Sequence, residues 1–347
     1  MEEIENIKKS QPEVSFSNTL INEKTRVKIA RITDAASEKI ILFFTILSAV
    51  IILFIFYFIL QKSWEIFKVN GFGFITQTGF DKQINEAFYA PGDAPVWTFG
   101  AFGLLLGSLL TTLGALLIAV PMGMGTAIVI AELAPPKVKS LLQSVVRLLA
   151  SIPSVVFGLL GLLIVVPLIK KLFITTELQI QFIKYFQMDG KSLLAGILVL
   201  SLMIMPIIVA LSVDAINAVP RKYKEASLAL GLSHWRTITK VMLPAAKSGI
   251  LAGVVLGMGR AIGEAIALTM VTGGIGYVPD PAHGLPSLLT PVLPLAAAIV
   301  KKAEAMSIPS IEAALFACGV VLLATTTLLS ILTKIVEYTV KRRQGLE

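Results

Sequence analysis

Six apolar stretches, each long enough to cross a bilayer, constrain this 347-residue chain more than anything else in it. Crossing ~30 Å of hydrocarbon takes about 20 apolar residues in a helix, which satisfies its own backbone N–H and C=O groups where no water can. Such stretches lie near 39–60, 101–131, 141–168, 193–213, 249–272 and 311–336. They predict an all-α integral membrane protein with six transmembrane helices. Charged residues make up 15% of the chain, against about a quarter in soluble domains, which agrees. Pro121, Pro153 and Pro167 fall inside the second and third stretches and predict kinks or breaks there.

Thirty Lys and Arg against 22 Asp and Glu leave a formal charge of +8. On a soluble chain that excess would suggest nucleic acid; between membrane spans it is an orientation signal. With the N-terminus inside, segments 1–39, 132–140, 214–248 and 337–347 carry 18 basic residues, and the external segments 61–100, 169–192 and 273–310 carry 9. Both termini are therefore expected in the cytoplasm, with the lipid bilayer and no nucleic acid as partner. The resulting order is a cytoplasmic tail over 1–38, a first transmembrane helix over 39–60, an external loop over 61–100, a membrane core over 101–340 and a cytoplasmic tail over 341–347. The long external loops read differently. In the first, Trp64, Phe72, Phe74, Phe80, Phe88, Tyr89 and Trp97 suit an interfacial aromatic belt better than a docking surface, and the Gly- and Pro-rich stretch 273–310 reads as an irregular lip over a pathway mouth.

Cys318 is the single cysteine, and His234 and His283 lie far apart, so no disulfide framework and no metal or haem site is expected. Gly190-Lys191-Ser192 ends like a P-loop, yet Tyr185 stands where the first glycine is required. An intramembrane hydrolase would need a buried nucleophile and base, but both histidines fall in loops. A secondary transporter would need ion-coupling groups of its own, and the midplane offers one Arg and one Glu.

Those two, Arg260 and Glu264 in GRAIGEAIALTMVTGG, are costly charges inside the fifth span and so mark function by default. At about 1.5 Å per residue from Lys247, Arg260 lies roughly 20 Å into the bilayer. Their i, i+4 spacing is expected to put both on one helix face, where they offset each other. Such a face can line an anion pathway, because a guanidinium stays charged and its planar donors match oxyanion geometry. Arg147, nearer the cytoplasmic end of the third span, is expected to snorkel to the headgroups. Gly249, Gly253, Gly257 and Ala261 recur every fourth residue and predict close approach of a second helix, as do Gly103 and Gly107 in the second span.

The cytoplasmic loop 214–248 holds the most regular pattern: Glu225-Ala226-Ser227, then Gly231, then Val241-Met242-Leu243-Pro244. Residues 221–230 favour a short helix, Gly231 suits its left-handed terminating position, and Pro244 suits a first helical turn. The skeleton resembles the EAA loop of ABC importer permeases, departing at Ser227 and Val241. Together with GRAIGEAIALTMVTGG and LLASIPSVVFGLLGLL over 148–163, it makes the chain resemble phosphate ABC transporter permeases of the PstC type over roughly 40–340.

The resemblance implies the type I importer permease fold, with the membrane core over 101–340 as its transmembrane domain. Arg260 and Glu264 then line the substrate pathway, and Glu225, Ala226, Gly231, Leu243 and Pro244 couple to an ATPase. It further implies a PstA-type permease as heterodimer partner, two PstB-type ATPase subunits that hold ATP and Mg, and an external phosphate-binding protein of the PstS type. No catalytic residue and no cofactor belongs to this chain, and the location is a bacterial or archaeal plasma membrane. Two positions depart from the pattern: Ala265 replaces an expected Thr, and Arg147 an expected acidic residue. A molybdate or sulfate permease is the alternative within the class.

Overall fold

The computed structural model describes residues 16–91, 94–183 and 186–343; the ends of the two expected tails, 1–15 and 344–347, lie outside them. The chain divides into two units, Met1–Phe58 and Ile59–Glu347. Helix α1 (Phe16–Asn70) begins inside the expected N-terminal tail. In the first unit its apolar side chains from Ile40 to Phe58 are exposed almost without exception, as suits a helix facing lipid.

In the second unit, α2 (Gly73–Thr76) and α3 (Phe80–Tyr89) form a small polar-linked cap. The long helix α4 (Phe102–Leu133) follows, ending in a π turn at Val129–Leu133. Next come α5 (Pro136–Ala150), α6 (Ser154–Phe173) with a π turn at Gly161–Val165, and α7 (Thr176–Phe182). Helices α8 (Leu193–Asn217), α9 (Arg221–Ala229) and α10 (His234–Ile262) lead to α11 (Ile266–Val271), α12 (Leu285–Leu288), α13 (Leu295–Lys301) and α14 (Pro309–Arg343). Six of these helices are long and apolar enough to cross a membrane. Among the described residues, extended pairing is confined to one bridge between Gly273 and Val292.

Helix α8 is the axis of this unit, the most deeply buried of the six, and apolar around its whole circumference as a central helix must be. The glycine series on α10 is what lets it pack against α8. A Cβ at Gly249 would meet Ala215 at 2.6 Å, at Gly253 Leu211 at 3.0 Å and at Gly257 Ile208 at 3.1 Å. The expected close helix approach is thus found over three turns. Gly103 and Gly107 instead face backbone of the later loop, the carbonyls of Gly276 and Leu293.

Four sequence expectations need correction. The third span starts at Ser154, because Ile152-Pro153 interrupts the helix and leaves 136–150 as a separate amphipathic segment with no buried residue. Pro153 forbids an N–H bond and biases Ile152 away from helix, so the apolar run reads as one while the backbone breaks. The fifth span likewise ends at Ile262, with 263–265 irregular before α11. Pro244 lies inside a helix already running from His234, directly after the π turn Ile238–Met242, where the ladder is offset ahead of the missing N–H. Finally, the stretch 273–310 is no surface lip along its whole length: Val292, Leu293, Leu295, Ala297 and Ala298 are fully buried, and α13 packs among α4, α11 and α14. That helix is only seven residues long, including Lys301, too short to register as a membrane segment.

The first loop also divides. Phe74, Phe80 and Phe99 are core residues, while Trp64, Phe72, Phe88 and Tyr89 are exposed. Asn70 bonds the carbonyls of Ile66 and Trp97 and accepts from Phe99 N–H, folding the cap onto the end of α1. Asp81 then clasps the later loop: its Oδ2 accepts from Gly276 N–H at 2.6 Å and its Oδ1 pairs with Lys302 at 2.9 Å.

Candidate transport site and coupling surface

Arg260 and Glu264 are brought near a helix break, which the sequence did not anticipate. Gly263 ends α10, Glu264 N–H bonds the carbonyl of Ala261, and the Glu264 side chain turns forward to accept from Ala267 N–H at 3.1 Å. Glu264 therefore caps the first turn of α11, buried at 8% exposure, instead of facing Arg260 along one helix. No ion pair within 4.0 Å joins the two. Arg260 points to the end of α5, where its Nη1 donates to Ala150 O at 3.4 Å. That carbonyl belongs to a helix C-terminus, which carries partial negative charge.

The two conspicuous sequence segments thus meet in space. ASIPSVVFG supplies the end of α5, the break and the start of α6; GRAIGEAIAL supplies Arg260, the second break and α11. A Cβ at Gly158 would sit 2.9 Å from Ala267 Cα, and one at Gly161 2.5 Å from Val199 and 2.8 Å from Val271, so α6 lies directly against α11 and α8. Around a half-buried guanidinium this leaves two adjoining helix breaks, with backbone groups that can rearrange. Arg147 does not snorkel alone: its Nη2 lies 3.5 Å from Asp214 Oδ1, both side chains being well exposed.

At the end of the unit formed by α9, Glu225 and Ala226 are exposed, as is Gly231, while Leu243 and Pro244 are half-buried at the start of the straight part of α10. Gly231 has φ +81°, its N–H bonds Leu228 O and Leu232 N–H bonds Ser227 O, so α9 ends in the left-handed cap expected of it. Tyr223, Leu228, Leu230 and Trp235 are exposed apolar side chains on this same surface, a patch suited to a protein partner.

Sequence reasoning missed the polar contacts that fix these parts. Lys224 pairs with Glu132, Ser227 stands 3.1 Å from Thr237 Oγ1, and Lys139 donates to Ala131 O and Asn217 Oδ1. An acidic residue closing an apolar span, as Glu132 does, is the signal that could have found the first. At the opposite end, burial together with the charges of Lys302 and Lys191 lowers the Lys301 pKa despite Asp81, and its Nζ donates to Gly274 O.

The fold and these features define a multi-pass helical permease of the ABC importer kind. A solved bacterial ABC transporter that imports alginate aligns over 89% of this chain and 99% of its own, with TM-score 0.54 at 14% identity, which speaks for the fold alone. The sequence profile described as the inner membrane component of binding-protein-dependent transport systems matches residues 119–342, and the chain belongs to that family. Similar proteins include the probable ABC transporter permease YqgH of Bacillus subtilis, 38% identical over 67% of this chain and 70% of its own length. The phosphate transport permeases PstC of Pasteurella multocida and Haemophilus influenzae are each 31% identical, over 82% and 88% of this chain and 85% and 91% of theirs. The protein is thus a multi-pass plasma-membrane transporter subunit, not an enzyme, and ATP hydrolysis resides on a separate ATPase.

Proposed function

We propose that this chain is the PstC-type permease of an ATP-driven phosphate importer. The observation that carries the reading is Arg260: a permanent cation, half-buried, with no carboxylate within 4.0 Å among the described residues, set where two helix breaks adjoin. Such a group attracts an oxyanion, and its weak bond to a backbone carbonyl can be exchanged for one to phosphate. Glu264 balances the charge from the neighbouring turn, so the anion is drawn in without being trapped. The similarity to PstC proteins supports phosphate as that anion.

In this reading α9, with Glu225, Ala226, Gly231, Leu243 and Pro244, seats on one of two PstB-type ATPases that hold ATP and Mg. A PstA-type permease completes the pathway and a PstS-type protein delivers phosphate to the other face. The excess of basic residues in the corresponding loops supports a cytoplasmic location for both termini and α9. Reconstitution of the four-component system in vesicles tests it: labelled phosphate uptake that requires ATP is expected. Uptake of molybdate or sulfate without competition from phosphate would reassign the substrate, and uptake by this chain alone would overturn the importer assignment.

A further inference from the structure

Helix α9 is held to the membrane helices by two polar side-chain contacts lying on different spans. Lys224 Nζ is 2.5 Å from Oε2 of Glu132, whose side chain is 7% exposed at the π turn closing α4. Ser227, where the related motif has alanine, brings its buried hydroxyl to that of Thr237, the residue before the π turn of α10. One contact therefore ends in a π turn and the other directly beside one, local faults in the helical ladder that recur at functional sites. A cavity of about 550 Å³ lies beside α9, lined among others by Ala131, Glu132, Asn217, Arg221, Lys224 and Glu225. Glu132 and Lys224 both line that space, so the ion pair stands at its wall.

We infer that Lys224 and Glu132 form a strut that passes the displacement of α9 to the second span, with Ser227 and Thr237 serving the fifth. The inference rests on the reading of α9 as the coupling helix. Lys224 is then a positioning residue: it touches neither substrate nor nucleotide, and its partner lies 92 residues earlier in the chain. A buried carboxylate stripped of its cation is left uncompensated, whereas exchange of the two charges preserves the attraction. A strut and a merely stabilising pair differ in what they disturb. Loss of a strut lowers transport per ATP; loss of a stabilising pair lowers the amount of intact complex.

The test uses the full complex in vesicles, comparing Lys224→Met, Glu132→Gln and the exchange Lys224→Glu with Glu132→Lys. Copurified subunits, ATP hydrolysis and phosphate uptake are measured on each. The single variants are expected to copurify with the ATPases and to show about fivefold less uptake per ATP hydrolysed, and the exchange to recover at least half of the loss. Unchanged uptake per ATP in the single variants, or an exchange no better than either of them, overturns the strut. Should a single variant fail to assemble, recovery by the exchange still decides. Absence of ATP-dependent uptake in the unsubstituted complex would instead overturn the importer reading, and requires no variant to see.

Discussion

Arg260 and Gly231 put opposite demands on their surroundings, one through charge and the other through backbone handedness. Arg260→Gln keeps much of the side-chain length and removes the charge, so uptake is expected to vanish while the subunits still copurify. Arg260→Lys retains the cation without the planar donors, and a loss of at least ~10-fold in uptake is expected, because the two cations are not interchangeable where geometry matters. Transport that survives in the Gln variant would make the residue structural. At Gly231 a Cβ would meet nothing within 4 Å, so space is not the constraint. The left-handed φ is, at about 1–2 kcal/mol for an ordinary residue. Gly231→Asn is therefore expected to preserve binding-protein-stimulated ATP hydrolysis, and Gly231→Val to lower it; equal behaviour of the two would refute the argument. Gly231 was legible from its place after a short helix. The partners of Arg260 were not, since Gly263, which ends the helix, reads in sequence as one more glycine of a helix already rich in them.

Helices in lipid gain little from burying apolar side chains, since the surroundings are as apolar as the core, and fit between backbones takes over. The α8–α10 contact is the clearest case. Gly249→Leu would drive a side chain into Ala215, and a loss of about 1–3 kcal/mol is expected from such overpacking, read as a lower unfolding midpoint of the detergent-solubilised protein. Leu163→Ala, on an exposed stretch of α6, should leave that midpoint nearly unchanged. At this scale the sequence was informative where one property dominated. Six long apolar runs announce six long helices, and a four-residue glycine rhythm announces a close neighbour. It was least informative where short breaks or short helices decide the outcome. Pro153 was visible as a proline, but whether it kinks or ends a helix depends on what lies against it. Helix α13 was hidden because six apolar residues and a lysine give no periodic signal, although the fold buries most of them.

The whole molecule has an orientation that its charges predict and that labelling can read. With Cys318→Ala as background, a cysteine at Lys82 should react with an impermeant maleimide from outside intact cells, and one at Lys222 only after permeabilisation; both side chains are exposed. The reverse pattern would invert the topology and place α9 away from any ATPase. Those two ends differ in construction. One carries the strut and an open apolar patch; the other is closed by the Asp81 clasp on Gly276 and Lys302. The clasp also has a history written into it. Asp81 is synthesised 195 residues before Gly276, so at about 5–20 residues per second it waits roughly 10–40 s for its first partner. Through that interval its carboxylate stays hydrated at the membrane surface while the second to fifth spans are laid down. Closure can follow only their emergence, which makes this one carboxylate a timestamp of completed insertion.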